Sequence, residues 1–465
     1  MLIGGHLCAG RCAPVPIVNP ATEKVFAEGP AANRDQIDDA VAAASNAFSI
    51  WRAVPLVERR EYVGLIADTI AENAEELSRV LAEETGKPPA AARAEVDGTV
   101  AYFRFFTTLE IEPELVEDGA VRRVEIHREP LGVVAAIIPW NFPLLLLALK
   151  LPAALLMGNT VIVKPATTTP LATLRLGALL ANKLPEGVLN VVSGEDDVGP
   201  WLTSHPGIRK ISFTGSTQTG KRVMASAALN LARVTLELGG NDPAIVLDDV
   251  DVERTADLIF ASAFGNSGQV CRAVKRVYAH ERIYDSLCEA LAERARRAVV
   301  GDGNLATVDF GPVQNRTQYL RLKALLEDAA VHGTVMSGGG ITAGPGYFIR
   351  PTVVKDIEPN SRLVVEEQFG PILPVIKFGD IEEAVRQAND TQYGLAASVW
   401  STDLQRAKAL AHRLDAGTVW INKHIDRTPH LPVAGAKQSG IGVELGVQGL
   451  YEFSQIKVVN MSSPS

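Results

Sequence analysis

The fold of this chain is constrained most by short strands that are apolar on both faces and alternate with helical stretches. The first series runs through Val133–Ile138, Val161–Val163, Val188–Val192 and Ile211–Phe213, with a helical pattern after each strand. Strands without a polar face are typical of a parallel sheet that helices cover on both sides. Such sheets bind ligands at the carboxyl ends of their strands. The pattern therefore predicts a doubly wound α/β domain with a ligand site at that edge.

A second series of the same kind begins after Gly239-Gly240. Its predicted strands are Ala244–Leu247, Val277–Ala279, Val353–Val354, Leu373–Phe378, Ala397–Trp400 and Thr418–Asn422. Its predicted helices are Val252–Phe264, Arg282–Val299 and Thr317–His332. From about Arg34 to Ala101 apolar residues also recur at helical spacing. The chain thus indicates two doubly wound domains, the first of them with an additional helical segment.

Two stretches alternate between polar and apolar residues like the strands of a thin ribbon, Arg122–Arg128 and Ser454–Asn460. A ribbon of two strands is marginal when it stands alone. We therefore expect the two stretches to pair and to pack against another subunit.

Composition excludes several classes of protein. The chain has 465 residues, 47% of them apolar, and a net charge of −9 without a basic stripe, so we expect no nucleic-acid partner. The apolar stretch Leu144–Met157 is interrupted by Lys150 and Pro152, so we expect no membrane span. No signal peptide is visible, and only four cysteines are present, which predicts a reducing, cytoplasmic location. We interpret Cys8 and Cys12 as reduced thiols in a mobile terminus and expect no metal site.

Cys271 ends a loop of small residues, Gly265-Asn266-Ser267-Gly268-Gln269-Val270-Cys271-Arg272-Ala273. Little bulk stands beside the sulfur, so a substrate can approach it closely. A thiol in such a place is a nucleophile if its surroundings hold it as a thiolate or accept its proton. The alternative is a small buried core residue.

Two polar residues next to predicted strands are further candidates. Glu237 lies in an apolar strand just before Gly239-Gly240, where burial raises the pKa of a carboxyl and suits it to act as a general base. It could instead hold a backbone turn. Asn141, between Trp140 and Phe142 after the first strand, offers an amide that could stabilise an oxyanion or simply end the strand in a rigid turn.

The stretch Phe213–Lys221 is a strand, a glycine turn and the start of a helix. Free N–H groups and the helix dipole favour phosphate there. The stretch fits neither the dinucleotide fingerprint nor the phosphate loop of nucleotide hydrolases, because Arg222 stands where the latter has Ser or Thr. Lys164, at the end of another strand, could meet a ribose hydroxyl or a phosphate.

Taken together, these residues resemble the NAD(P)-dependent aldehyde dehydrogenase superfamily, from Ile17 to Tyr451. The motifs that carry the resemblance are Pro139-Trp140-Asn141-Phe142-Pro143, Phe213-Thr214-Gly215-Ser216-Thr217, Leu236-Glu237-Leu238-Gly239-Gly240, Gly268-Gln269-Val270-Cys271, Glu366-Glu367-Gln368-Phe369-Gly370-Pro371 and Val419-Trp420-Ile421-Asn422. The family fold consists of a cofactor domain, a catalytic domain and a small oligomerisation ribbon. We expect the NAD(P)-binding domain at 1–107 and 131–239, the catalytic domain at 240–438, and the ribbon and C-terminal tail at 108–130 and 439–465.

The resemblance implies how an aldehyde would be oxidised to a carboxylic acid. Cys271 would attack the aldehyde, and Asn141 with the Cys271 N–H would hold the oxyanion. Hydride transfer to the nicotinamide would leave a thioester, and Glu237 would activate the water that hydrolyses it. Lys150 and Glu444 match positions that the family uses for proton relay.

The resemblance also implies NAD or NADP as the cofactor, an aldehyde as the substrate, and a homodimer or homotetramer. Glu367 and Phe369 would position the nicotinamide ribose and ring, Lys164 the adenine ribose, and Ser216 the pyrophosphate. The other expected cofactor contacts are Ile138, Trp140, Thr167, Gly194, Phe213, Gly215 and Gly239. Thr167 stands where many NAD-preferring relatives carry a glutamate, so both cofactors stay open, with NAD slightly favoured.

The expected substrate pocket is largely apolar. Its residues are Phe142, Leu145, Leu146, Leu149, Val270, Arg272 and Val433. Arg272 is a candidate anchor for an acidic or polar substrate, whereas the pocket favours aliphatic or aromatic aldehydes over sugars. The segment Pro432–Lys437 replaces the family's usual Pro-Phe-Gly-Gly, and Val443 replaces an arginine before Glu444. The alternatives are a CoA-acylating member, which would usually lack the Glu237 base, and a catalytically silent binding protein of the same fold.

Overall fold

A computed structural model describes residues 1–303, 307–340, 344–426 and 428–462. The helices of the first half of the chain are α1 (Arg34–Trp51), α2 (Leu56–Glu72), α3 (Ala74–Thr85), α4 (Pro89–Thr107), α5 (Pro143–Ala148), α6 (Leu151–Leu156), α7 (Leu171–Leu180), α8 (Val198–Thr203) and α9 (Thr217–Ala227). Those of the second half are α10 (Val252–Phe264), α11 (Tyr284–Arg297), α12 (Arg316–His332), α13 (Arg362–Val365), α14 (Ile381–Asn389), α15 (Leu404–Ala411) and α16 (Gly446–Tyr451). None of these helices combines the length and hydropathy that a membrane span requires, as far as the described residues go.

The strands fall into two large sheets and three small ones. Up to residue 237 they are β1 (Leu2–Ile3), β2 (His6–Leu7), β3 (Cys12–Asn19), β4 (Lys24–Ala31), β5 (Glu114–Asp118), β6 (Arg122–Pro130), β7 (Val133–Ile137), β8 (Thr160–Lys164), β9 (Leu189–Val191), β10 (Ile208–Thr214) and β11 (Arg233–Glu237). The later strands are β12 (Pro243–Val246), β13 (Arg276–His280), β14 (Thr334–Ser337), β15 (Thr352–Lys355), β16 (Ile372–Phe378), β17 (Tyr393–Gly394), β18 (Ala396–Trp400), β19 (Thr418–Ile421), β20 (Ala436–Lys437), β21 (Gly440–Ile441) and β22 (Ser454–Ser462).

The first large sheet has the strand order β2-β1-β9-β8-β7-β10-β11-β21. Its centre, from β9 to β11, is parallel, as the apolar strand pattern predicts. Every residue of β7 and of β8 is buried, because helices cover both faces of the sheet. The antiparallel strands β1, β2 and β21 at its edges are too short to show a pattern in the sequence.

The second large sheet has the order β14-β15-β16-β13-β12-β18-β19. All its pairs are parallel except β14 with β15. Both parallel sheets are therefore present, and the prediction of a doubly wound α/β fold is confirmed.

The third sheet, β22-β6-β5, contains the predicted ribbon. β22 pairs with β6 in antiparallel register from Ser454 opposite Pro130 to Ser462 opposite Arg122. The pairing of the two alternating stretches is confirmed, and β5 adds a third strand that the sequence did not indicate. The last residues of the predicted tail, 463–465, lie outside the described residues.

Two sequence-based expectations are wrong. The apolar stretch Leu144–Met157, whose pattern predicts one buried helix, is divided into α5 and α6, because Pro152 lies in the first turn of α6 and cannot continue the preceding helix. Lys150 lies at this break. The N-terminus is not a mobile segment: β1 pairs with β9, and the N–H of Cys8 donates to the carbonyl of Met1.

Candidate active site

A cleft of about 190 Å³ lies at the carboxyl ends of β7, β10 and β11. This is the edge at which a parallel sheet binds ligands. The cleft brings together residues from distant parts of the chain that the sequence singled out. Those lining it are Trp140, Asn141, Leu146, Gly215, Ser216, Gly239, Cys271, Glu367 and Phe369.

The loop before Cys271 is held in an unusual backbone conformation. Asn266 and Ser267 adopt positive φ angles of 52° and 55°, in the left-handed region that few residues other than glycine occupy. Gly268 follows with φ 72°, and a Cβ there would lie 2.3 Å from the carbonyl oxygen of Gly370. This tight turn fixes the half-buried Cys271 at the cleft wall.

Two buried side chains hold the carbonyl groups around the cysteine. Lys275 Nζ donates to the carbonyls of Val270 (3.0 Å) and Cys271 (2.5 Å). His424 Nε2 lies 3.0 Å from the carbonyl of Arg272. Since a carbonyl only accepts, Nε2 carries the proton, and His424 Nδ1 accepts from Ser398 Oγ at 2.8 Å. Burial lowers the pKa of His424 to about 3, so this imidazole is neutral.

Opposing influences act on the pKa of the Cys271 thiol, and burial is the largest of them. Burial raises the pKa of Cys271 above its ordinary value, and the positive charges of Arg272 and Lys275 oppose that rise. Glu237 and Asp242 add to it. The sulfur is therefore mostly a thiol at neutral pH and needs a proton acceptor in order to attack.

Asn141 lines the same cleft as Cys271. Its Nδ2 donates to the carbonyl of Gln269 at 3.0 Å, which orients the amide. The backbone carbonyl of Asn141 accepts from Lys87 Nζ at 2.9 Å, and Lys87 forms a buried ion pair with Glu95 at 2.5 Å. Within the described residues the backbone N–H of Cys271 makes no hydrogen bond. Two N–H donors are thus available where an oxyanion would form.

Glu237 is the last residue of β11 and is buried. Its Oε1 has no hydrogen-bond partner within the described part of the chain. Burial, and next the nearby carboxylate of Glu444, raise the pKa of Glu237 well above its ordinary value, while Lys150 and Arg272 act in the opposite direction. A buried carboxyl with an elevated pKa and an unpaired oxygen is suited to accept a proton.

Behind Glu237 lies a buried network centred on Lys150. Its ammonium donates to Glu444 Oε1 and, at 2.7 Å, to Thr214 Oγ1. Ser212 Oγ donates to the same Glu444 oxygen at 3.2 Å. Lys150 and Glu444 do not line the cleft, but their influence on the pKa of Glu237 shows that they lie near it.

Two residues that the sequence analysis missed complete the other side of the cleft. Gln318 and Arg321, one turn apart on α12, both line it. Gln318 Nε2 donates to the carbonyl of Phe369 at 2.9 Å, and Arg321 donates to that of Glu367 at 2.5 Å. They hold the loop on which Phe369 adopts a positive φ of 51°. Two polar residues on a predicted helix look like ordinary surface in the sequence, so no signal pointed to them.

On the same side of the cleft, the carboxylate of Glu367 and the rings of Trp140 and Phe369 are held by contacts with their neighbours. Glu367 Oε1 accepts from the N–H of Gly240 at 3.0 Å and lies 3.8 Å from Lys275 Nζ. A Cβ at Gly239 would lie 2.3 Å from Glu367 Oε2, so this close approach requires glycine. The rings of Trp140 and Phe369 meet edge to face at 5.3 Å.

The remaining predicted cofactor residues extend from the cleft along the strand ends. Lys164 ends β8, and its carbonyl accepts from the N–H of Ile138 at 2.9 Å. Thr167 Oγ1 donates to the carbonyl of Gly194 at 3.1 Å. Lys164, Thr167, Gly194, Ile138 and Phe213 do not line the cleft itself.

In the turn after β10, Gly215 packs closely against the ring of Phe213 at the end of that strand. A Cβ at Gly215 would lie 2.5 Å from the ring of Phe213, so glycine is required. Ser216 then caps α9 by accepting from the N–H of Thr219.

The residues predicted for the substrate pocket do not all lie at the cleft. Leu145, Leu146, Leu149 and Val433 belong to one hydrophobic cluster, with Phe142 packed against it. Of the predicted substrate residues only Leu146 lines the cleft. Val270 and Arg272 flank Cys271 and are half-buried.

The residues present fit a dinucleotide. The eleven-residue helix α9 begins at the cleft edge and directs its N-terminal N–H groups toward it, as phosphate binding requires. Next to Cys271, Trp140, Phe369 and Glu367 offer flat apolar surface and a carboxylate for a nicotinamide ribose.

Comparison with known proteins agrees with this geometry. A sequence profile of the Aldehyde dehydrogenase family matches residues 9–459. Aldehyde dehydrogenase LUC3 of Fusarium sp is 41% identical over 445 residues, which cover 95% of this chain and 94% of the relative.

Solved structures are also similar over nearly the whole chain. The NAD+ complex of aldehyde dehydrogenase from Bacillus cereus has a TM-score of 0.97 and 36% identity, covering 99% of this chain and 96% of that one. Lactaldehyde dehydrogenase from Escherichia coli has a TM-score of 0.97 and 35% identity, covering 100% and 99%. The protein thus belongs to the aldehyde dehydrogenase family, whose members oxidise aldehydes.

Proposed function

We propose that this enzyme oxidises an aldehyde to a carboxylic acid through a covalent intermediate on Cys271. The observation that carries the proposal is that Cys271 and Asn141 line one cleft, while Glu237, buried directly before the cleft residues Leu238 and Gly239, lies near enough to Cys271 to raise its pKa. NAD(P), when bound, supplies the acceptor for the hydride.

In the first half-reaction the Cys271 sulfur bonds to the aldehyde carbon, and the carbonyl π bond opens to an oxyanion. Asn141 Nδ2 and the Cys271 N–H donate to that oxyanion. The thiol proton passes to Glu237, whose unpaired oxygen lies near the sulfur. Lys150 and Glu444 would carry this proton onward, so that Glu237 is a carboxylate again before hydrolysis. Loss of hydride from the resulting thiohemiacetal leaves a thioester on Cys271.

In the second half-reaction Glu237 accepts a proton from water while the water oxygen bonds to the thioester carbon. The carbon–sulfur bond then breaks, and the acid leaves with both oxygens. Lys150 and Glu444 would pass the proton onward from Glu237. Glu237 also argues against a CoA-acylating enzyme, in which a thiol rather than water resolves the thioester.

The test is reduced-nicotinamide absorbance with a panel of aldehydes, NAD and NADP in parallel, with and without CoA. Turnover is expected without CoA and should be abolished in Cys271→Ala. Arg79→Gln, on the exposed face of α3, is the matched control and should leave it unchanged. Turnover that survives in Cys271→Ala, or its absence with every aldehyde, would contradict the covalent mechanism and favour a silent binding protein.

We further propose NAD as the preferred cofactor. Thr167 offers no carboxylate, and its hydroxyl donates to Gly194. Burial lowers the pKa of Lys164, and the negative charges of Asp196 and Glu195 oppose that change. These two carboxylates near Lys164 would repel a 2′-phosphate. The ratio of kcat/KM for NAD and NADP in the same assay measures the preference.

The arrangement supports a cofactor domain around the first sheet, a catalytic domain around the second, and a homodimer or homotetramer. β22 is an edge of its sheet, and Ile456 and Val458 on it are each 59% exposed. An exposed apolar edge strand is suited to pairing with a second copy. Light scattering of the purified protein gives the subunit number.

A further inference from the structure

Arg272 is a cationic residue directly next to the nucleophile, Cys271. It is half-buried, and its guanidinium carbon lies 5.8 Å from the ring centroid of Trp420, an arrangement that fixes the side chain. Within residues 1–303, 307–340, 344–426 and 428–462, its guanidinium forms neither a hydrogen bond nor an ion pair. A guanidinium cannot lose its proton in a protein, so the charge is permanent.

Three carboxyl groups lie near enough for Arg272 to lower their pKa values, yet none pairs with it. Asp426 is engaged by Lys423 Nζ at 2.7 Å and by Thr428 Oγ1. Glu237 and Asp242 are buried, and burial raises the pKa of both, that of Asp242 to about 7. They therefore carry reduced negative charge at neutral pH.

Withdrawing a permanent cation partly from water costs free energy unless an anion pairs with it. The backbone of Arg272 is fixed at the same time, because His424 donates to its carbonyl at 3.0 Å. The guanidinium thus lies beside the Trp420 ring, and among the described residues its donors make no hydrogen bond. A guanidinium presents these donors as a planar fork that matches the two oxygens of a carboxylate.

We propose that Arg272 binds a carboxylate at the far end of the substrate, so that the enzyme's substrates are semialdehydes of carboxylic acids. The inference rests on the proposed function, since it assumes that the aldehyde end reacts at Cys271. The apolar side chains near the cleft, such as Leu146, would contact the carbon chain between the two ends. Arg272 is then the residue that selects among aldehydes.

The experiment compares each member of a series of unbranched semialdehydes with its methyl ester, which has the same chain without the charge. We expect the wild-type kcat/KM to favour the free acid for at least one chain length. Arg272→Gln should lower the acid-to-ester ratio about ten- to a hundredfold, the range for a hydrogen bond to a charged group. Arg272→Lys, which keeps the charge but not the fork, should lower it less, and Arg79→Gln should leave it unchanged.

The ratio of kcat/KM for the acid to kcat/KM for its ester separates the binding of the substrate carboxylate from the effect of Arg272 on the thiol. Because the Arg272 charge lowers the pKa of Cys271, Arg272→Gln is expected to slow all aldehydes. An equal loss for acids and esters, or a wild-type preference for esters at every chain length, would overturn the carboxylate site. Failure of the proposed function looks different, because no ester or acid would then give Cys271-dependent reduction of NAD or NADP.

Discussion

Opposing charges around a buried thiol tune this site at the level of single residues. Glu237 raises the pKa of Cys271, whereas Arg272 and Lys275 lower it. Glu237 in turn lies between Glu444, which raises its pKa, and Lys150, which lowers it. The pKa values of Cys271 and Glu237 therefore depend on the charges of their neighbours. A single substitution that removes one of these charges is expected to shift them.

Glu237→Gln is expected to trap the thioester. The amide accepts a proton neither from the thiol nor from water. The fraction of Cys271 that is already thiolate should still give a slowed first turnover, whereas hydrolysis should fall by about 10²- to 10⁴-fold. The burst of reduced nicotinamide, together with the mass of the acid-quenched protein, measures this. A variant that turns over steadily, without an acyl adduct, would show that another group is the base.

The thiol should respond in opposite directions to two substitutions. Glu237→Gln removes a negative charge and should lower the pKa of Cys271, while Arg272→Gln removes a positive charge and should raise it. The rate of alkylation by iodoacetamide against pH gives the pKa of the thiol. Shifts of the same sign in both variants would contradict this account.

At the level of elements, a buried carboxylate places the helix that follows Asn141. Glu95 on α4 accepts from the N–H groups of Leu144 (3.0 Å) and Leu145 (3.3 Å) in the first turn of α5. It also pairs with Lys87, whose ammonium donates to the carbonyl of Asn141. Asn141, the proposed oxyanion donor, is thus positioned through a helix N-terminus and one ion pair.

Glu95→Ala should destabilise the protein by about 3–5 kcal/mol, because it leaves the Lys87 charge buried and unpaired. The double variant Lys87→Met with Glu95→Met removes both charges and should recover much of that loss. Urea unfolding midpoints measure both effects. A double variant that is less stable than Glu95→Ala would show that the pair itself, rather than its compensation, stabilises the fold.

The sequence predicts strands and helices well where the pattern is long, and poorly where tertiary contacts decide. The helix Val252–Phe264 and the pairing of β6 with β22 follow from periodicity alone. Gln318 and Arg321 could not be recognised, because what directs them to the cleft is the packing of α12 against a loop fifty residues later. Likewise, Lys275 and His424 act on backbone carbonyls, which have no sequence signature.

At the level of the whole molecule, buried polar side chains connect the two large sheets. Glu84 lies in the last turn of α3, and its carboxyl accepts from the N–H groups of Leu171 (2.7 Å) and Ala172 (3.1 Å) at the start of α7. Its carbonyl accepts from Gln314 Nε2 at 3.1 Å, and the Gln314 N–H donates to Gln269 beside the nucleophile loop. The helices α3 and α7 are thereby joined to the loop that precedes Cys271.

Glu84 should make the whole protein less stable as pH rises. Burial raises its pKa from 4.5 to about 8, so the folded state holds a proton that the unfolded state has lost. This contribution is fully present below about pH 4.5 and is lost as pH rises through about 8, with a slope of at most about 1.4 kcal/mol per pH unit. Urea midpoints across that range should fall in the wild type and fall less steeply in Glu84→Gln. Equal slopes would contradict the assignment.

The Lys150–Glu444 pair also has a consequence for how the chain assembles during synthesis. The two residues are 294 positions apart, and both side chains are fully buried. A ribosome makes the chain from its N-terminus, so most of the first sheet exists long before Glu444 emerges. Until then the ammonium of Lys150 lacks its counter-ion, and closing the sheet over it is unfavourable. The segment that carries Glu444 must therefore dock before the first sheet can close over Lys150.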